Sequence, residues 1–157
     1  MGHIRFASDV GAPVDVAFAY AADHAWFERW MYGVTSVQPL GTPKTGLGSS
    51  YRLDARIMSA LPVPTTCEVT EFRRDAVIAY TLRGRICGTV TLRFDPLGFG
   101  TTVLTIEADY PQPVGVLARM CRRITDASAK SALRRTETRL RREIEEFHGT
   151  DLVGRMT

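Results

Sequence analysis

The chain opens in alternation, with Ile4, Phe6 and Ser8 on one side of an extended segment and Arg5, Ala7 and Asp9 on the other, up to a break at Gly11-Ala12-Pro13. Pro13 suits the start of a helix, and Val14, Phe18 and Ala21 or Ala22 then recur at helical spacing. Asp23 is placed to cap a second short helix, Ala25 to Met31, which carries Trp26, Phe27 and Trp30. From Gly33 to Tyr110 the period shortens to that of strands. The segments run Val34 to Leu40, Leu47 to Met58, Val63 to Arg73, Ala76 to Arg83, Ile86 to Pro96 and Thr101 to Tyr110. Turn residues at Gly41 to Gly46, Leu61-Pro62, Arg74-Asp75, Gly84 and Leu97 to Gly100 separate them. Connections this short hold no crossover helix, so the strands pair as an antiparallel meander.

The alternation also identifies a dry face. Tyr51, Leu53, Ala55 and Ile57 oppose Ser50, Arg52, Asp54 and Arg56. Ile78, Tyr80 and Leu82 share the dry face with Val90, Leu92 and Phe94 and with Leu104, Ile106, Ala108 and Tyr110. A sheet dry on one side needs a cover, and the element left to supply it is a long helix from about Val114 to Phe147. Its later half has an apolar stripe of Leu133, Thr136, Leu140, Ile144 and Phe147, with a stop expected at Gly149. Leu117, Met120 and Ile124 fall on nearly the opposite side of an ideal helix, so the element kinks, splits or buries both sides near Asp126 to Ser131. The stretch Ala127-Ser128-Ala129-Lys130-Ser131-Ala132 sends little bulk toward the sheet, which leaves either a pocket or close helix-to-sheet packing. The pattern is that of one α+β domain over residues 3–148, with a tail at 149–157.

Composition fits this picture. With 157 residues, 45% hydrophobic and 24% charged, the chain is large enough for one core and is neither disordered nor membrane-spanning in character. The N-terminal residues show no secretory signal and no myristoylation pattern, so a cytoplasmic protein is expected. Cys67, Cys87 and Cys121 lie far apart, which suits a reducing compartment and three small buried side chains. The net charge is only +3, but Arg119, Arg122, Arg123, Lys130, Arg134, Arg135, Arg139, Arg141 and Arg142 concentrate in the late helix. That basic helix is a candidate for peripheral contact with an anionic membrane, through Leu117, Met120 and Ile124. Interleaved Glu137, Glu143, Glu145 and Glu146 favour a solvated face instead, and no nucleic-acid partner is expected.

Candidate chemistry is sparse. His3, His24 and His148 are too dispersed for a metal site, and His24 with Glu28 one turn on is a surface pair. The glycine loop at Gly41 to Gly48 departs from a phosphate loop at Leu47 and Gly48, where lysine and a hydroxyl residue are required, so no nucleotide cofactor is expected. In the strands of clear phase the inward positions carry no Asp, Glu, His, Lys or Arg. Their polar groups are Tyr51, Tyr80 and Tyr110, joined by Cys67 in the fourth segment, where the phase is less clear. A tyrosine offers a ligand an apolar ring and one hydroxyl.

The order strand, two short helices, about six strands and a long C-terminal helix resembles the START-like helix-grip superfamily, in its polyketide cyclase/dehydrase and lipid-transport branch. The resemblance rests on Ala12-Pro13-Val14-Asp15-Val16-Ala17-Phe18, Trp26 to Trp30, Val34 to Gly41, Glu68-Val69-Thr70-Glu71-Phe72, Gly100-Thr101-Thr102-Val103 and Asp109-Tyr110-Pro111. It implies a cavity between sheet and helix that takes a hydrophobic small molecule: a lipid, isoprenoid or polyketide-like compound. The ligand contacts expected there are Tyr51, Leu53, Cys67, Val69, Tyr80, Val90, Leu92, Ile106, Tyr110 and Ser128. The resemblance equally admits a cyclase, aromatase or dehydratase, whose catalytic candidates would be Tyr51, Tyr80 and, at the pocket mouth, His24 or Asp23.

Overall fold

A computed structural model describes residues 2–56, 61–84, 86–112, 115 and 118–156, without the side chains of 119–123 and 150–156. Ile57, Met58, Val114 and Leu117, and the side chains of Arg119, Met120, Cys121, Arg122 and Arg123, on which expectations above fall, lie outside the described residues. Strand β1 (Gly2–Val10) leads to α1 (Val14–Ala22), a 3-10 turn (His24–Trp26) and α2 (Phe27–Trp30). Strands β2 (Val34–Leu40), β3 (Ser50–Ala55), β4 (Val63–Arg73), β5 (Val77–Gly84), β6 (Gly88–Leu97) and β7 (Thr101–Tyr110) follow, then α3 (Ala118–Met156). They form one curved antiparallel sheet in the order β1-β7-β6-β5-β4-β3-β2. The first strand closes on the last, so the meander and its N-terminal addition share one dry face.

Several boundaries moved for local reasons. Strand β3 begins at Ser50 instead of Leu47, because Gly46 and Gly48 take positive φ (91° and 84°) and carry the chain through a turn. The second short helix divides into a 3-10 turn and a single α turn, with the Asp23 carboxylate accepting from the Ala25 N–H at 3.0 Å. In β4 the register shifts between Val69 and Glu71. Thr65, Cys67 and Val69 therefore face inward before the shift and Phe72 packs on the core after it, which is why one period fits that strand poorly.

The helix also differs from expectation. It neither splits near residues 126–131 nor stops at Gly149, which stays helical, and α3 continues through Met156. A left-handed residue is what usually ends a helix at glycine, and Gly149 does not adopt that conformation. Ile124 is 60% exposed, so α3 does not bury both sides there. Its stripe is buried at Leu133, Leu140 and Ile144, while Phe147 is partly exposed against Tyr20 and Trp26.

Polar ties fix the later half of α3 in place. Glu137, expected on a solvated face, is buried, accepts from the Ser8 hydroxyl and lies 3.9 Å from Arg141. The Gly11 N–H donates to Glu145 at 3.0 Å, the Tyr20 hydroxyl to Glu143 at 3.2 Å, and the Tyr32 N–H to the Thr136 hydroxyl at 3.1 Å. Burial of Tyr20 and the neighbouring Glu143 carboxylate both push the Tyr20 phenol upward. Helix α1 seals one end of the sheet by setting Phe18 edge-on to Phe72 and Phe94, at 5.3 and 5.5 Å between ring centroids.

Leu140 is fully buried under this lid and Ile124 is not. In urea unfolding, Leu140→Ala should lower stability by about 2–5 kcal/mol. Ile124→Ala should change it by no more than about 0.5 kcal/mol.

Candidate functional site

Over part of its length the earlier half of α3 stands off from the sheet. Between them lies a cavity of about 290 Å³, close to the lower edge of the roughly 300–1,000 Å³ typical of small-molecule sites. The sheet supplies Leu53 and Ala55 from β3, Thr65 and Cys67 from β4, Tyr80 and Leu82 from β5, Val90 from β6, and Ala108 and Tyr110 from β7. The helix supplies Thr125, Ala129, Ala132, Leu133 and Thr136, which recur at helical spacing along one face. Where α3 carries Ala129 and Ala132 the space stays open, and where it carries Leu140 and Ile144 the core is solid. Trp30, Met31, Tyr32 and Val34 close one side, and Ile86, Cys87, Gly88 and Thr89 line the other at the β5–β6 connection.

Two glycines let the chain approach closely here. A Cβ on Gly2 would stand 2.3 Å from ring carbons of Tyr110, so the bare β1 position leaves room for that ring. At Gly88, where φ is +145°, a Cβ would stand 2.6 Å from the Asp109 carbonyl oxygen. The Tyr110 hydroxyl donates to Asp126 Oδ1 at 2.6 Å, and Gln112 Nε2 donates to the same oxygen at 3.1 Å. This ties the earlier half of α3 to the end of β7. Desolvation first, then the hydrogen bond and charge of Asp126, pushes the Tyr110 phenol up to about 12.

The expected contacts divide. Leu53, Cys67, Tyr80, Val90 and Tyr110 line the cavity. Tyr51, Val69, Leu92 and Ile106 face the same way but lie in the solid core, and Ser128 falls one residue short of the helix face that carries Ala129. Tyr51 sits under α2, edge-on to Phe27 at 5.2 Å, with its hydroxyl donated to the Lys44 carbonyl and its pKa raised chiefly by burial. His24 stacks on Tyr51 at 5.5 Å, away from the cavity. It does not pair with Glu28, whose carboxylate accepts from the Val37 N–H at 3.2 Å. Tyr80 reaches the wall with its ring while its hydroxyl donates to the Ala21 carbonyl at 3.0 Å, and full burial holds its pKa well above the ordinary value.

Alternation in the strands did not point to Trp30, Met31, Tyr32 and Val34, because they lie where α2 gives way to β2. Thr136 belongs to the helix stripe that the periodicity identified, and Thr65 lies two residues before Cys67 on the inward face of β4, where the phase of the segment was unclear. Tyr32 marks a cationic rim. Arg135 Nη1 donates to its hydroxyl at 2.9 Å, and the guanidinium groups of Arg135 and Arg139 lie 5.0 and 5.2 Å from its ring centroid. On the wall itself the described ionisable side chains are Tyr32, Cys67, Tyr80, Cys87, Asp109 and Tyr110, and the Asp109 carboxylate is turned to His3 at 2.8 Å. Among the described residues no group of His, Cys, Asp and Glu could hold a metal ion, and no helix is long and apolar enough to cross a membrane.

A seven-stranded sheet gripping a long helix around an apolar cavity is the architecture of START-like proteins. The chain belongs to the polyketide cyclase / dehydrase and lipid transport family, whose sequence profile matches residues 1–143. Its fold is shared with a protein of Thermus thermophilus at 16% identity and a TM-score of 0.76, over 91% of this chain and 97% of that one. It is also shared with the Zhui aromatase/cyclase of a Streptomyces species, at 18% identity and a TM-score of 0.74 over 92% and 93% of the two chains. A START superfamily protein of Mycobacterium smegmatis matches at 17% identity and a TM-score of 0.75, over 92% and 98%. No curated protein sequence matches the chain.

The cysteines give this geometry a chemical signature. Cys67 is fully buried, and burial pushes its thiol up to about 12. Cys87, expected to be buried, is exposed, because it precedes β6 at the edge of the cavity. In a Cys121→Ser background at pH 8, a disulfide reagent should modify Cys87 within minutes and leave Cys67 unmodified until the protein unfolds.

Proposed function

We propose that this protein binds a hydrophobic small molecule, of lipid, isoprenoid or polyketide-like character, in the cavity between sheet and helix, as a carrier or binding protein. The observation that carries this reading is the wall: aliphatic, alanine and aromatic side chains from five strands and one face of α3, around about 290 Å³ of open space. Apolar ligand surface transferred into such a site contributes about 25 cal/mol per Å², enough for useful affinity without a charged anchor. The family's breadth, which spans cyclase, dehydrase and lipid-transport proteins, fits the same cavity.

The aromatase/cyclase among proteins of this fold supports a second reading, in which the cavity carries out ring closure or dehydration. Of the catalytic candidates, Tyr80 lines the cavity with its hydroxyl already donated to a backbone carbonyl, while Tyr51 and His24 stand behind the wall. That arrangement favours binding over proton transfer.

Native mass spectrometry of freshly purified protein, with organic extraction of anything released, tests the proposal. A defined apolar compound at near-stoichiometric occupancy is the expected result. Protein that carries nothing and takes up no added fatty acid, isoprenoid or aromatic polyketide would overturn it.

A further inference from the structure

The charges of α3 are not evenly paired. Glu137 is taken by Ser8 and Arg141, Glu143 by Tyr20 and Arg29, and Glu145 by the Gly11 N–H. Arg135 and Arg139 form no ion pair among the described residues. Both turn instead to one ring, with their guanidinium carbons 5.0 and 5.2 Å from the Tyr32 centroid. A cation over a ring is held only weakly where water reaches it, and two cations one helical turn apart repel each other. Tyr32 therefore gathers two positive groups that no ion pair with a described residue neutralises.

The pair stands beside the cavity. Arg135 and Arg139 flank Thr136 on α3, and both Thr136 and Tyr32 are on the wall. The Tyr32 N–H donates to the Thr136 hydroxyl at 3.1 Å, and Arg135 Nη1 donates to the Tyr32 hydroxyl at 2.9 Å, so the ring is tied to the helix at both ends. Arg135 is exposed and Arg139 half-buried. A guanidinium offers five N–H groups, of which the described hydrogen bonds use one on Arg135 and none on Arg139. Further in, the described wall residues include no lysine, arginine or histidine. An anion thus has partners at this rim, and none inside to offset its loss of water. The space behind the rim is about 290 Å³, about twice the roughly 150 Å³ that houses one benzene. It takes an apolar body on the order of ten to fifteen non-hydrogen atoms, such as one short chain or two fused rings.

We infer that the ligand is amphipathic, with a small apolar body in the cavity and one oxyanion, a carboxylate or a phosphate monoester, held at the Tyr32 rim by Arg135 and Arg139. This deepens the binding reading above and rests on it. The wall supplies the affinity, and the two guanidinium groups, whose planar forks suit either oxyanion, decide which end of the ligand stays outside.

Decanoate, decyl phosphate and decan-1-ol share a chain and differ in the head. Their binding to the full chain is measured by isothermal titration calorimetry at pH 8, below their micellar concentrations. At low salt at least one anion should bind about tenfold more tightly than the alcohol, and the tighter of the two names the head. Near 1 M salt, where the screening length is about 3 Å, the preference should shrink to about twofold. That salt series tests the inference on unaltered protein. Arg135→Gln with Arg139→Gln should remove the preference. Lys44→Gln with Arg74→Gln takes the same charge from the β2–β3 and β4–β5 connections and should keep it. An alcohol that binds as tightly as both anions would overturn the inference and leave the cavity reading standing. A preference that survives the rim substitutions, or falls equally in the distant pair, would overturn it too, by placing the oxyanion elsewhere or tying it to net charge. Failure of all three compounds to bind would remove both readings.

Discussion

The dry face of the sheet has to be covered, and a single helix covers it with side chains that change size along its length. Leu140 and Ile144 fill the solid core, beside the point where Ser8 of β1 bonds Glu137. Thr125, Ala129 and Ala132 do not reach the far side. Because α3 is one uninterrupted element, it cannot tilt its slim end inward without lifting its bulky end out of the core. The cavity therefore follows from the amino-acid sizes on one helix face together with the stiffness of the helix that carries them.

Polar contacts hold this arrangement where apolar packing alone would allow sliding. Ser8, Gly11, Tyr20 and Tyr32 each bond a side chain of the later half of α3. The earlier half is held at Asp126 by Tyr110 and Gln112. The later half, with four such bonds, is the structural anchor. The cationic rim at Tyr32, built by Arg135 and Arg139, stands at the boundary between the two.

Much of this was legible in the chain. Strand spacing, short turns and the dry face followed from alternation, and Val63–Arg73 and Thr101–Tyr110 fell where that pattern put them. The site was only half legible. Alternation reports which face a residue takes and says nothing of what lies above it, so Tyr51 under α2 and Tyr80 at the cavity looked alike. Ser128 and Ala129 were likewise equivalent by bulk, and only the helical phase set by Leu133 and Leu140 separates them. Glu137 misled for a related reason: its charge marked it as solvated, and a partner 129 residues away in sequence, Ser8, buried it. Gly149 had the composition of a helix stop without the backbone conformation of one.

The central claim is that the space opposite Ala129 and Ala132 is the binding site. Filling it from the helix side tests this most directly, by replacing Ala132 with tryptophan and titrating the protein with an environment-sensitive apolar dye. If the space is the site, the variant should keep the wild-type circular dichroism spectrum and a melting temperature at or above the wild-type value, while dye affinity falls by about tenfold or more. A folded variant that binds the dye as tightly as wild type would place the site elsewhere and contradict the account.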